Sequence, residues 1–177
     1  KTEPVVTIVK SNGNNQNVLT SAIEPVSTVS GYTYTWYKDG EVISGETSNT
    51  LTTTTAGVYQ LKVTTGAGVE SVSNEITIQS YTITYNLNGG TGSIPNGTKV
   101  ENVPFGLTSV TPTKDGYQFV GWGLTSTDKV PTYTNGSSYI KNENITLYAI
   151  WKKGYTITFV ENGATLSKKT ATCNRKS

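Results

Sequence analysis

Over residues 81–87, Tyr81, Ile83, Tyr85 and Leu87 alternate with Thr82, Thr84 and Asn86. A side-chain period of two predicts an extended segment with one face on a core and the other in water. The opening Tyr-Thr-Ile-Thr returns at 155–158, followed by Phe159, so the pattern predicts a tandem array whose second copy begins there. Before residue 80, shorter alternating stretches lie at 5–9, 18–23, 32–37, 49–53, 58–64 and 69–78. Turn chemistry separates them: Asn12-Gly13, Ser30-Gly31, Asp39-Gly40, Ala56-Gly57 and Gly66-Ala67-Gly68. About seven short strands in so short a span predict a β-sandwich. Asp39-Gly40 is the sharpest local signal, because a type I′ hairpin turn needs positive φ at both central residues. The chain therefore divides into 1–79, 80–152 and 153–177, the last a partial repeat or tail.

Composition narrows the class. Hydrophobic residues make up 34% and charged residues 15% of 177, with 18 Gly and 11 Tyr. Thr, Ser and Asn runs supply β-branched and turn residues, and no stretch has the helical period needed for a long helix. The fold class is mainly β. Net charge is +2, with no Lys/Arg stripe along a periodic segment, so a nucleic-acid partner is not expected. The chain has no apolar run long enough to span a bilayer, so no membrane insertion is expected in this segment. It has no Met and no secretory leader, so it reads as an internal or processed piece whose targeting and anchoring signals are expected to lie outside it.

The second segment carries a bend. Phe119 and Trp122 stand three positions apart, and both reach one core only if the strand bulges, which Gly121 permits. Ile83, Tyr85, Phe119, Trp122, Leu147 and Trp151 are the expected core, and Asn88-Gly89-Gly90 is the expected turn leading from the opening strand to its partner. At the chain's end, residues 155–159 are expected to be extended and to lean on the preceding module or a neighbouring chain. Asn162-Gly163 should turn that strand back, leaving the tail around Cys173 loosely held.

In the first segment, Thr-Trp-Tyr-Lys-Asp-Gly at 35–40 and Ala-Gly-Val-Tyr-Gln-Leu-Lys-Val at 56–63 resemble the third and sixth strands of an immunoglobulin-like domain. The resemblance implies that Trp36 packs between two sheets and that Tyr59 forms the tyrosine corner. Leu61 stands where the family's second Cys would be, with Ala22 or Thr20 opposite, so the inter-sheet disulfide is absent. Packing of Trp36, Leu51, Tyr59, Leu61 and Val63 must then hold the sandwich. In the second segment, Tyr81 to Tyr85, Asn88-Gly89-Gly90, Val100, Pro104, Pro112, Gly-Tyr-Gln-Phe-Val-Gly-Trp at 116–122 and Leu-Tyr-Ala-Ile-Trp at 147–151 resemble the internalin B-repeat, also described as a Listeria and Bacteroides repeat. That resemblance implies a small β-grasp-like module, found in tandem in large bacterial surface proteins and often beside immunoglobulin-like domains.

No chemistry-bearing motif appears. The chain has no His and one Cys, which excludes imidazole catalysis and an internal disulfide. There is no Gly-x-Ser-x-Gly elbow, no Asp-x-Asp-x-Asp-Gly loop and no Cys/His ligand set. Gly89-Gly90-Thr91-Gly92 lacks the Lys-Ser/Thr of a phosphate cradle. No catalytic, cofactor-binding or metal residue is nominated, and no cofactor or enzymatic activity is expected. Asn96, Asn135 and Asn144 sit in glycosylation sequons and mark surface loops. Tyr32, Tyr34 and Trp36 share an inward face, leaving Tyr37 as the candidate for an outward aromatic platform.

The expected role is a non-enzymatic segment of an extracellular, bacterial cell-surface or secreted protein, acting as stalk, spacer or adhesive repeat. Its expected partners are a host or cell-surface protein or glycan, and neighbouring modules of the same protein. The alternative is a carbohydrate-binding or accessory module of a larger secreted enzyme.

Overall fold

The computed structural model describes residues 3–24, 31–158 and 170–173. Every regular element among them is a strand: β1 Val5–Asn12, β2 Asn17–Glu24, β3 Tyr32–Lys38, β4 Glu41–Val42, β5 Thr50–Thr53, β6 Gly57–Thr65, β7 Glu70–Val72, β8 Ile76–Ile78, β9 Ser80–Asn86, β10 Gly97–Val100, β11 Phe105–Gly106, β12 Tyr117–Gly123, β13 Ser138–Tyr139, β14 Ile145–Lys153, β15 Tyr155–Thr158 and β16 Thr170–Cys173. The fold is all-β. Its sheets run β1-β2-β5, β4-β3-β6-β7 with β8 also on β6, β10-β9-β14-β12, β11-β13 and β15-β16.

The chain forms two compact units. The first comprises residues 1–82, 98–105 and 138–144, and the second residues 83–97, 106–137 and 145–177. In the first unit the β1-β2-β5 and β4-β3-β6-β7 sheets enclose Val6, Ile8, Leu19, Trp36, Leu51, Tyr59, Leu61, Val63 and Ile78. Trp36, Tyr59, Leu61 and Val63 are buried as their alternation requires, and Tyr32 and Tyr34 pack against that core. Asp39 and Gly40 have φ of 53° and 84°, and they pair Lys38 with Glu41 and Tyr37 with Val42. This is the hairpin that Asp-Gly predicts.

Residues 69–78, which alternate like one strand, instead split. Ser73 leaves the ladder: its hydroxyl accepts the Leu61 N–H at 2.9 Å while its own N–H donates to the Leu61 carbonyl. The next residue, Asn74, accepts the Ile8 N–H at 2.8 Å and donates to the Ile8 carbonyl at 3.1 Å. One carboxamide thereby satisfies the main chain of β1 on the side where, among the described residues, no strand pairs with it, and a bonded edge resists pairing with another chain.

Polar side chains tie residues 98–105 and 138–144 into this unit. Glu101 accepts from Lys10 at 2.7 Å and from the Gln79 N–H at 3.0 Å. Asn102 donates to Asn17 and accepts from Asn142, both at 2.9 Å. Burial pushes the Glu101 carboxyl upward, but the bonds from Lys10 and Gln79 outweigh it and hold its pKa below the ordinary glutamate range. Lys99 is wholly buried, with its ammonium on the Val100 carbonyl and Asn142 Oδ1 and 5.8 Å from the centre of the Tyr81 ring. Burial lowers its pKa.

The second unit centres on stacked rings. Trp122 lies 4.9 Å from Tyr85 and 5.0 Å from Phe119, and Phe119 lies 5.8 Å from Trp151, centroid to centroid. Trp122, Ile83 and Leu147 are buried as expected, while Phe119, Tyr85 and Trp151 are half-buried. The β12–β14 register slips between Phe119 and Gly121, which is the bulge that brings both rings to one side. A Cβ on Gly121, at φ 139°, would stand 2.6 Å from Pro131 Cβ and 2.7 Å from the Tyr133 carbonyl oxygen, so the bulge also lets loop residues approach closely. At the turn after β9, Asn88 and Gly89 have φ of 49° and 79°. The partner strand β10 follows only after further irregular chain, yet it does pair with β9.

Residues 155–158 are extended as expected, and Phe159 and Asn162-Gly163 lie outside the described residues. Of the tail around Cys173, expected to be loosely held, the described residues 170–173 form a strand: Tyr155 pairs with Cys173 and Thr158 with Thr170. A strand's unpaired N–H and C=O groups make such a partner favourable.

Candidate functional site

On the outward face of the β4-β3-β6-β7 sheet, Tyr37, Gly40, Val58, Gln60, Lys62, Val72 and Glu75 line a groove of about 280 Å³. Register assembles it. Tyr37 lies opposite Gln60 and Trp36 opposite Leu61, and in a pleated ladder directly opposed residues share a face. Burying Trp36 and Leu61 therefore turns Tyr37 and Gln60 outward together. Lys62 lies opposite Val72, extending the same face by one strand. The departure of Ser73 from the ladder brings Glu75 to the rim.

The polar groups are partly committed. Gln60 Nε2 donates to the Ser73 carbonyl at 3.0 Å, which leaves its Oε1 as an acceptor. Lys62 Nζ bonds Glu70 at 3.0 Å. That bond, Glu70's charge and the neighbouring Tyr37 hold the ammonium above its ordinary pKa. Val72 is 54% exposed and gives the groove an apolar wall beside the Tyr37 ring. The groove thus offers a ring face, apolar side chains, an amide acceptor and a carboxylate, which orient a ligand without supplying a nucleophile–base pair.

Alternation identified Tyr37. Gln60, Lys62, Val72 and Glu75 carry no signal of their own, since they meet Tyr37 only through strand register. Opposing Trp36 to Leu61 across the two Trp- and Tyr-marked strands would have found Gln60.

A second groove of about 290 Å³ is lined by Asn12, Gly13, Asn14, Asn15, Asn102, Pro104 and Ile140. Its inward amide, Asn102, is already spent on Asn17 and Asn142. Of the three sequon residues, Asn96 is exposed. Asn144 accepts the Thr82 N–H. Asn135 is built into the second unit: it accepts from Trp122 Nε1 at 3.2 Å and donates to the Ser109 carbonyl and the Thr111 hydroxyl. Among the described residues, no three His, Cys, Asp or Glu side chains converge as a metal site would require.

No curated protein matches the chain. Residues 81–150, which contain the Asn88-Gly89 turn, the Gly121 bulge and the stacked rings around Trp122, match the Listeria-Bacteroides repeat domain, a repeat that occurs in extracellular or surface proteins.

Proposed function

We propose that the chain is a non-enzymatic modular segment of a bacterial cell-surface protein, presented outside the cell as a spacer or adhesive repeat. The observation that carries this reading is repetition. The match at 81–150 is followed at once by β15, whose Tyr-Thr-Ile-Thr restates the opening of β9. Modules in series contribute length and packed, protease-resistant structure, while their loops and sheet faces remain available for recognition.

Residues 1–79 are read as an immunoglobulin-like domain. In support, Tyr59 donates its hydroxyl to the Thr55 carbonyl at 2.9 Å, the arrangement of a tyrosine corner. Trp36 lies wholly buried in the core enclosed by the two sheets, opposite Leu61 on β6. Residues 80–152 are read as a β-grasp-like B-repeat. In support, its first and last strands, β9 and β14, lie parallel in the middle of their sheet with β10 and β12 outside. Residues 153–177 are read as a partial second repeat or tail, and the external partner of the chain as a host or cell-surface protein or glycan.

Antibody raised against the chain should label intact, unpermeabilised cells of the source bacterium. Opening the cells should add little further label. Labelling that appears only after the cells are opened would overturn the surface assignment.

A further inference from the structure

We propose that the groove at Tyr37 binds one residue of a neutral glycan, with the Tyr37 ring as platform and Gln60 and Glu75 as hydroxyl acceptors. The inference rests on the surface-module reading for its biological setting, but its geometry stands within the first unit alone.

Sugar rings present an apolar C–H face and a rim of hydroxyls. The groove presents the complement: the Tyr37 ring beside Val58 and Val72, with acceptors at the edge. Gln60 Oε1 is left open because the amide is fixed through Nε2 to the Ser73 carbonyl, so it meets a ligand already oriented. Glu75 is exposed, lines the same groove and accepts from hydroxyl donors without needing a proton of its own.

Charge selects within the class. The lining cation, Lys62, is bonded to Glu70, so an anionic sugar finds no free cation and meets Glu75. A polyanionic or sialylated ligand is therefore disfavoured, and a neutral hexose or N-acetylhexosamine fits. A peptide added as a strand is disfavoured for a different reason. Beneath the groove the main chains of β3 and β6 are paired on both sides, which leaves only the outer edge of the three-residue β7 for an added strand. A volume of about 280 Å³ is small for a drug-sized molecule, at the lower end of ligand sites, and suits a single ring with its neighbours outside.

The test is an NMR titration of the isotope-labelled full chain with methyl glucoside, methyl galactoside, methyl mannoside and N-acetylglucosamine, alongside sialyllactose as an anionic probe. At least one neutral probe should shift the amides of Tyr37, Gln60 and Val72 saturably, with a Kd on the order of 1 mM, as expected of a site that relies on repetition for avidity. Y37A should weaken that binding at least about tenfold, Y37F should stay within about threefold because the ring remains, and E75Q should weaken it about threefold or more. If Y37A loses its native spectrum, E75Q on an exposed side chain carries the test, and unchanged affinity in E75Q overturns the acceptor role. The proposal also fails if no neutral probe shifts these amides up to about 50 mM, if shifts map to the Asn12–Asn15 turn instead, or if sialyllactose alone binds. Such a failure leaves the surface-module reading standing, since cell labelling tests it separately.

Discussion

Trp36 and Trp122 are both wholly buried, yet their surroundings differ in kind. Trp36 sits among aliphatic side chains from both sheets of a sandwich, including Ile8, Leu19, Leu61 and Val63, and its Nε1 donates to the main-chain carbonyl of Ser48 at 2.8 Å. Trp122 is stacked against other rings, Tyr85 and Phe119, and its Nε1 donates to the side chain of Asn135. Asn135 is itself held by Ser109 and Thr111. Likewise Tyr85 accepts the Thr108 N–H, and Trp151 donates to the Leu87 carbonyl. A sandwich gains burial from two facing sheets and can use many medium-sized residues. The second unit concentrates burial in a few large rings and uses their polar ends to hold loops in place. Damage to one ring should therefore spread further there.

The largest expected effect is the direct comparison of W36A with W122A. Each should lose about 3–5 kcal/mol. W122A should lie at the upper end, because it also strands the Asn135 carbonyl and the loop bonds behind it. Urea unfolding followed by circular dichroism measures both, and a smaller loss for W122A would break the contrast.

A second, smaller contrast uses glycine. Gly40, at φ 84°, has open space where a Cβ would go, whereas a Cβ at Gly121 would strike Pro131 and the Tyr133 carbonyl. G40A should cost about 1 kcal/mol, for conformation alone. G121A should cost about 3 kcal/mol, for conformation and overpacking together. Equal midpoints would show that the bulge can relax and that the second unit is less tightly built than its rings suggest.

The smallest effect concerns charge in the first unit. Glu101's pKa in the folded chain lies below its ordinary 4.5, so below that value the unfolded chain binds more protons than the folded one. The stabilisation from Glu101 is thus complete above pH 4.5 and is lost as pH falls through the lowered value. E101Q should cost about 1–2 kcal/mol at pH 7. The loss relative to the native chain should shrink as the medium is acidified below pH 4.5, and a loss independent of pH would assign it to packing.

Much of this was legible where periodicity was strong. The alternations at 5–9, 18–23, 32–37 and 58–64 became β1, β2, β3 and β6, and the spacing of Phe119 and Trp122 around Gly121 foretold the bulge. What escaped was either too short to have a period or decided by partners distant in sequence. The two-residue strands β4, β11 and β13 leave no pattern. Leu107 and Tyr139 are buried while their apolar neighbours Phe105 and Ile140 are not, a choice no period announces, and Lys99 reads as a solvent residue although it is wholly buried. The break after Val72 was hidden because a hydroxyl at Ser73 imitates the ladder it interrupts. At the groove, Tyr37 was legible from its parity, whereas Gln60 and Glu75 required the register between strands.

The loop-holding amides also bear on how the molecule ages. An asparagine followed by glycine is prone to lose ammonia when the glycine nitrogen closes on its side-chain carbonyl carbon, and such thermolabile residues limit chemical lifetime. The described residues contain four such pairs, beginning at Asn12, Asn88, Asn96 and Asn135. Asn88 donates to the carbonyls of Ser126 and Ala149, and Asn135 donates to Ser109 and Thr111. To swing over the following nitrogen, either carboxamide must first break both bonds. Asn12 and Asn96 are exposed and have no such restraint, so spontaneous deamidation is expected first at the β1–β2 turn and at the approach to β10, while the two amides that hold loops in the ring-stacked unit are spared.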